Sequence, residues 1–170
     1  MKEFISIAFI GFLLLSFHAL LSPILSIENI AYPAPYILFW MILPFSWSFI
    51  KGGAVAIAYG ILLDLLFPPH GLQTFCGLWV WGLRKPIYRL LHPTLPPEWE
   101  LTTSVRQFNS SEFFAYAFPL TLLHQLWYLS LAAWNLSFQV LLLIGLSAAY
   151  TFFWEWIIFE IGLRQRYVRA

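Results

Sequence analysis

The sequence contains little charge and almost no cysteine. Only 10% of its 170 residues are charged, whereas an ordinary soluble domain has about 25%. The formal net charge is +1, and no basic cluster is interleaved with aromatic residues, so nothing indicates a nucleic-acid partner. The single cysteine, Cys76, lies in an apolar run, which excludes a disulfide framework and a cysteine-based metal site.

The chain is instead rich in hydrophobic side chains, which make up 61% of its residues. A soluble protein of this length could not bury so much apolar surface, so we expect an integral membrane protein. The apolar runs predict an all-α, polytopic membrane helix bundle that forms one domain over residues 1–170. Six transmembrane segments are expected at about 4–27, 36–50, 52–67, 71–84, 113–134 and 138–163, with a polar cytoplasmic loop at 85–112.

The first segment has one rival interpretation, a cleaved signal peptide. Residues 4–27 form an apolar run longer than a signal-peptide core, and they lack a clean small-x-small cleavage site. A membrane-anchoring helix is therefore favoured. In the second segment, the two tyrosines of residues 32–36 predict an interfacial loop, and Pro44 predicts a kink.

The basic residues indicate the orientation of the predicted bundle. If six segments cross, all nine Lys and Arg residues fall on the side of the N-terminus. The positive-inside rule then places both termini and the 85–112 loop in the cytoplasm.

Segments three and four leave one ambiguity. At 1.5 Å per residue they reach only roughly 20–23 Å, and the hydrocarbon core is about 30 Å thick. They either cross the bilayer or form a re-entrant hairpin. We favour crossing, because residues 86–91 extend the fourth segment along the interface.

Small residues recur every four positions along the third segment, at Gly52, Ala56 and Gly60, and Asp64 continues the series. On a helix this spacing puts all four on one stripe. Small side chains allow a second helix backbone to approach closely, which is how helices associate in lipid. We therefore expect segments three and four to form a close-packed hairpin at the centre of the protein.

Four ionisable residues fall within predicted membrane segments: His18, Asp64, His124 and Glu155. For Asp64 we favour hydrogen bonding to the following turn, around the N–H groups of residues 71–73, over a proton or substrate site. The histidines are expected to be hydrogen-bonded residues that face the bundle. Glu155 is expected to pair with an arginine of a neighbouring helix.

The search for reactive chemistry is negative. The sequence has no phosphate-binding glycine loop, no Ser/His/Asp arrangement at recognisable spacing and no His/Glu metal pair on one helical face. We expect no enzymatic activity, no cofactor and no bound metal.

Three stretches resemble the rod shape-determining MreD family: GILLDLLFPPHGLQTF, the basic LRKPIYRLL, and FFAYAFPLTLLHQLWYLSLAAW. The family carries a similar Gly-x-x-x-Asp followed by a turn and Gly-Leu, and those positions match Gly60, Asp64, Gly71 and Leu72. His124 falls in its LxHxL-type segment. The similarity covers most of the chain, and it departs from some members where Pro68-Pro69 replaces a glycine-rich turn.

The resemblance implies a non-enzymatic inner-membrane scaffold subunit of the bacterial cell-elongation complex, needed for rod shape and for organising lateral peptidoglycan synthesis. It also implies a fold similar to the substrate-binding subunits of energy-coupling-factor transporters. The implied partners are an MreC-type periplasmic scaffold protein and, through it, MreB filaments and the RodA–penicillin-binding-protein synthase, with membrane lipid around the bundle. The alternative is a vitamin-binding subunit of such a transporter. A third possibility, an intramembrane enzyme, lacks a paired catalytic constellation.

Overall fold

The computed structural model describes residues 2–26, 31–94, 104–134 and 137–164. Within these residues the protein is all-helical and has no β-strand. The helices are α1 (Lys2–Leu25), α2 (Leu38–Ile42), α3 (Phe49–Leu66), α4 (Leu72–Leu91), α5 (Ser110–Ala133) and α6 (Phe138–Ile158). Short 3₁₀ helices occupy Pro35–Ile37 and Val105–Gln107, and a π-helical turn, Phe159–Leu163, continues α6.

Side-chain caps explain where several helices begin. The Ser48 hydroxyl accepts a hydrogen bond from the Lys51 N–H at the start of α3. Asn109 and Glu112 form a reciprocal capping box at the start of α5, as their spacing of three residues predicts. Ser137 caps α6 in the same way as Ser48 caps α3.

Two helices, Phe49–Leu66 and Phe138–Leu163, are long and apolar enough to cross a membrane by length and composition. The expected range of the fourth segment, 71–84, is too short, because α4 continues through Pro86 to Leu91. At 1.5 Å per residue α3 is about 27 Å long and α4 about 30 Å. Both are therefore longer than the sequence analysis expected.

The second segment differs most from its prediction. Residues 36–50 do not form one kinked helix: α2 ends at Ile42, the chain turns through Pro44, and a new helix begins at Phe49. Leu43 is extended, with ψ of 137°, because the residue before a proline is sterically excluded from the helical region. The expected interfacial loop is also wrong for Tyr36, which is 1% exposed in the core.

The short 35–42 segment is the centre of the bundle, and all its side chains are buried. The long helices pack around it in chain order, α3 on α4, α4 on α5 and α5 on α6. Helix α1 is attached mainly through the 35–42 segment. Many side chains on the outer faces are large and apolar, such as Ile50, Leu65 and Phe138, which are 83%, 73% and 74% exposed.

One end of the bundle collects the basic residues. At that end α4 contacts two other parts of the chain. Arg84 of α4 is hydrogen-bonded to the Leu43 and Pro44 carbonyls, and the Tyr88 ring of α4 stacks with the Phe108 ring at 5.8 Å. The Lys and Arg side chains that the structure describes at this end are Lys51, Arg84, Lys85, Arg89, Arg106 and Arg164. The α3–α4 turn lies at the opposite end.

Candidate functional site

Asp64 fastens the turn between α3 and α4. One carboxylate oxygen accepts from the Gln73 N–H at 2.9 Å, and the other accepts from the N–H and the hydroxyl of Thr74 at 3.0 and 2.5 Å. The residue that precedes α4 is Gly71, with φ of 90°, and it has no side chain with which to cap the helix. Asp64 therefore supplies the missing acceptor from the neighbouring helix, at the residues around which the sequence analysis placed it.

The small-residue stripe of α3 faces α4. A Cβ on Gly60 would lie 2.6 Å from the Thr74 Cα, so the two backbones are in direct contact there. Gly52 faces the Trp81 indole, and Ala56 is fully buried. The same close approach occurs where sequence reasoning missed it: a Cβ on Gly77 would lie 2.1 Å from the Trp40 ring.

Arg84 is the main structural residue that sequence reasoning missed. It is the last residue of the expected fourth segment, 71–84, yet its side chain is fully buried. One terminal guanidinium nitrogen donates to the Leu43 carbonyl and the other donates to the Pro44 carbonyl at 2.9 Å. The guanidinium also lies 5.3 Å from the Phe45 ring centre and 5.9 Å from that of Trp81. It therefore holds the break after α2 against α4.

Helix α6 carries a buried polar stripe at four-residue spacing: Ser147, Thr151 and Glu155. The Ser147 hydroxyl accepts from the Tyr32 N–H and the Thr151 hydroxyl accepts from the Ala34 N–H, both at 3.0 Å. Tyr32 and Ala34 lie in an extended segment outside the helices, so their N–H groups have no partner in a regular backbone ladder. The two hydroxyls of α6 supply the acceptors instead.

Among the described residues Glu155 pairs with no arginine, so that prediction is wrong. Its carboxylate accepts from the Thr121 hydroxyl of α5 at 2.5 Å, and its other oxygen is buried without a hydrogen-bond partner among the described residues. The only arginine ion pair among them, Arg164 with Glu160 at 2.6 Å, lies a turn beyond it. Gln125, one turn along α5 from Thr121, donates to Thr151 at 3.0 Å.

The two membrane-segment histidines meet aromatic rings rather than the hydrogen-bond partners that we expected. The His18 ring lies edge-on to Tyr36 at 4.5 Å and to Phe67 at 4.7 Å, and no described residue is hydrogen-bonded to its Nδ1. His124 is fully buried beside Tyr36 and Trp40, at 5.7 and 5.9 Å. Neither of its ring nitrogens finds a partner within the described ranges.

A cavity of about 300 Å³ lies between α1, the 31–37 segment, the α3–α4 turn and α5. The Tyr36 hydroxyl donates to the Gln73 side-chain carbonyl at 2.5 Å across its wall. The residues with polar side chains in its lining are His18, Ser26, Tyr32, Tyr36, Gln73, Gln125 and Tyr128. None of the described lining residues is Lys, Arg, Asp or Glu, so they offer neutral donors, acceptors and aromatic faces.

The structure brings some of the predicted residues together and separates others. His18 and His124 both contact Tyr36, and Asp64 adjoins the same cavity through Gln73. Glu155 lies elsewhere, bonded to Thr121. Among the described residues, no three His, Cys, Asp or Glu side chains come together as a metal site.

Comparison of the chain with protein-family models, with characterised proteins and with solved structures finds no match in any of the three.

Proposed function

We propose that this chain is a non-enzymatic scaffold subunit of the bacterial cell-elongation complex, embedded in the inner membrane and needed for rod shape and lateral peptidoglycan synthesis. The proposal rests on the contacts made by the motif that resembles the MreD family. Gly60, Asp64, Gly71 and Leu72 meet at the α3–α4 turn, where Asp64 is engaged with backbone N–H groups of α4. The motif holds two helices together, which suits a scaffold.

The proposed protein crosses the membrane six times and keeps both termini in the cytoplasm. The second crossing is broken, made of the extended 31–34 stretch and the short 35–42 segment. The gathering of basic side chains at one end supports this orientation, because cytoplasmic ends carry the excess of Lys and Arg. The large apolar side chains on the outer faces support contact with lipid. The proposed fold is similar to that of the substrate-binding subunits of energy-coupling-factor transporters, as the family resemblance implies.

The proposed partners follow from the same family resemblance. An MreC-type periplasmic scaffold protein would bind directly, and MreB filaments and the RodA–penicillin-binding-protein synthase would be linked through it. Broad apolar and aromatic helix faces are suited to packing against the membrane helices of such partners.

Depletion of the protein in its native bacterium tests the proposal. Rods are expected to become round, and the tagged protein is expected to co-purify with an MreC-type protein. An Ile61→Leu variant, changed at an exposed position off the stripe, serves as the matched control and is expected to restore rods. Depleted cells that stay rod-shaped, with no MreC-type protein recovered, would contradict the proposal.

The cavity beside His18 favours a second candidate, a vitamin-binding subunit of an energy-coupling-factor-type transporter. Its neutral polar and aromatic lining suits a small planar molecule. The neighbouring genes distinguish the two candidates. The scaffold proposal predicts wall-synthesis and cell-shape genes beside the gene for this protein, whereas transporter ATPase genes there would favour the vitamin-binding subunit.

A further inference from the structure

A second large cavity, of about 380 Å³, is a groove along the first half of α1. Six α1 residues between Ser6 and Phe17 form one wall, and Ile158 and Leu163 at the end of α6 form the other. The groove is apolar along its length, and Phe9 and Leu13 at its edge are 61% and 49% exposed. It lies between α1 and α6, and the Phe17 ring of its lining meets the Trp154 ring of α6 at 5.8 Å.

Among the residues that the structure describes, Arg106 is the one charged side chain in the lining of this groove. Its position is fixed by the Val105–Gln107 3₁₀ turn, whose first N–H groups are capped by the Ser104 side chain. Among the described residues, the Arg106 guanidinium forms no hydrogen bond and no ion pair. It is half-buried, as is Arg164, which follows Leu163 of the groove wall, but Arg164 is paired with Glu160.

We propose that the groove binds one anionic phospholipid, with its phosphate on Arg106 and an acyl chain along α1. The inference rests on the proposed membrane location, and it is independent of the elongation complex.

The dimensions and the charge of the groove match this ligand. Ser6 and Phe17 are eleven residues apart, so the apolar wall is about 17 Å long at 1.5 Å per residue. Half of the hydrocarbon core is about 15 Å, which is the depth that one acyl chain spans. Arg106 lies at the basic end of the bundle, the proposed cytoplasmic side, where anionic lipids are attracted to basic pockets between helices. A guanidinium also binds phosphate oxygens through two parallel hydrogen bonds.

Native mass spectrometry of the detergent-purified protein tests whether the Arg106 charge selects an anionic lipid. The probe is phosphatidylglycerol, compared with phosphatidylcholine of the same acyl chains. The wild type is expected to retain one phosphatidylglycerol in preference. Arg106→Gln is expected to weaken that retention about tenfold, which corresponds to the loss of one charge-assisted contact. The control is Lys51→Gln, an exposed cation at the same end but outside the groove, and it should keep the preference.

A glycine pair tests the apolar half of the site. A Cβ on Gly162, in the groove lining, meets no atom within 4 Å, and neither does a Cβ on Gly145 outside the groove. Gly162→Leu adds a large side chain to the groove lining at a position where its Cβ has free space, so it should reduce retention of both lipids, while Gly145→Leu should not.

Two results would overturn the inference. One is equal retention of the two lipids by the wild type, and the other is an Arg106→Gln variant, folded by circular dichroism, that keeps the preference. A failure of the scaffold proposal, seen as rods that survive depletion, leaves the lipid measurement unaffected. A protein that purifies as a soluble monomer without detergent would overturn both proposals.

Discussion

The Asp64 carboxylate accepts bonds from two backbone N–H groups of α4, so acceptor oxygens in the right place matter more here than charge. Asp64→Asn keeps one acceptor oxygen and should retain most of the proposed cell-shape function. Asp64→Leu leaves both N–H groups unpaired, at about 1–3 kcal/mol for each buried group. We expect it to accumulate less and to recover less MreC-type partner.

The measurement is rescue of rod shape in depleted cells, with membrane abundance and partner recovery read in parallel. If Asp64 were a proton or cation site, the Asp64→Asn variant would rescue rod shape no better than Asp64→Leu. An Asp64→Asn protein that is abundant, bound to its partner and inactive would contradict the structural role and favour transport.

Close packing at glycines gives a second prediction. Alanine at Gly77 would place its Cβ 2.1 Å from the Trp40 ring, and alanine at Gly60 would place it 2.6 Å from the Thr74 Cα. Such overpacking costs typically about 1–3 kcal/mol. The matched control is Gly82→Ala on α4, where a Cβ meets nothing within 4 Å and alanine should be neutral or slightly stabilising.

Unfolding of the purified proteins by denaturant, followed by circular dichroism, measures these differences. Equal stability of the Gly77, Gly60 and Gly82 variants would remove the basis for the packing argument.

Single residues also show why the site was only partly predictable from sequence. Asp64 lies nine residues from its partner Gln73 across a turn, so local spacing was enough to suggest the bond. Glu155 and Arg84 find partners 34 and about 40 residues away, on elements whose rotation the sequence does not specify. The partner of each was therefore predicted wrongly or missed.

At the scale of elements, Arg84 connects the end of α2 to α4. Arg84→Met keeps the apolar length of the side chain but removes the guanidinium donor from the Leu43 and Pro44 carbonyls. Of the two, the Pro44 carbonyl keeps the Trp47 N–H at 3.3 Å. A hydrogen bond to a charged group contributes about 1.5–3 kcal/mol, so a loss of this size or more is expected. Arg84→Lys should restore part of it, because one ammonium can reach one carbonyl.

The comparison uses the same denaturant unfolding. Lys51→Met is the control, because Lys51 is exposed and lies over the Trp47 ring at 4.5 Å, a contact of about 0.5–1 kcal/mol. If Arg84→Met lost no more stability than Lys51→Met, the connection would have no energetic importance.

Element boundaries were predictable where a cap marks them in the sequence. The Asn109–Glu112 capping box marks the start of α5, and Gly71 marks the start of α4. The second segment was not predictable in the same way, because a hydrophobic run containing a proline is compatible with a kinked helix and with a broken one. In the structure the helix is broken, and Arg84 is buried against the break. That contact is long-range, so local sequence does not indicate it.

For the whole molecule, the proposed topology makes its own prediction. Reporter fusions after Arg106 and at Ala170 should read cytoplasmic, and a fusion at Asn29 should read external. The reason is that all nine Lys and Arg residues lie on one side if six segments cross. A cytoplasmic signal from Asn29 would contradict six crossings, and an external signal from Ala170 would contradict the orientation.

The composition of the whole chain predicted an all-helical protein, and the structure confirms that. The pairing of α3 with α4 was likewise predictable, from the four-residue recurrence of small residues. The position of α1 was not, since an evenly apolar helix carries no periodic signal for the face that it buries.

The extended stretch at Tyr32 and Ala34 has a consequence for biosynthesis. Its N–H groups are bonded by Ser147 and Thr151, which are translated 115 and 117 residues later. If the chain spans the membrane as proposed, those groups have little water to bond before α6 is made. In that topology the segment around Tyr32 and Ala34 cannot reach its final form until α6 has been synthesised. A nascent chain cut short after Trp134 would remain an unfinished intermediate, open to membrane proteases, even though four of its five long helices are already complete.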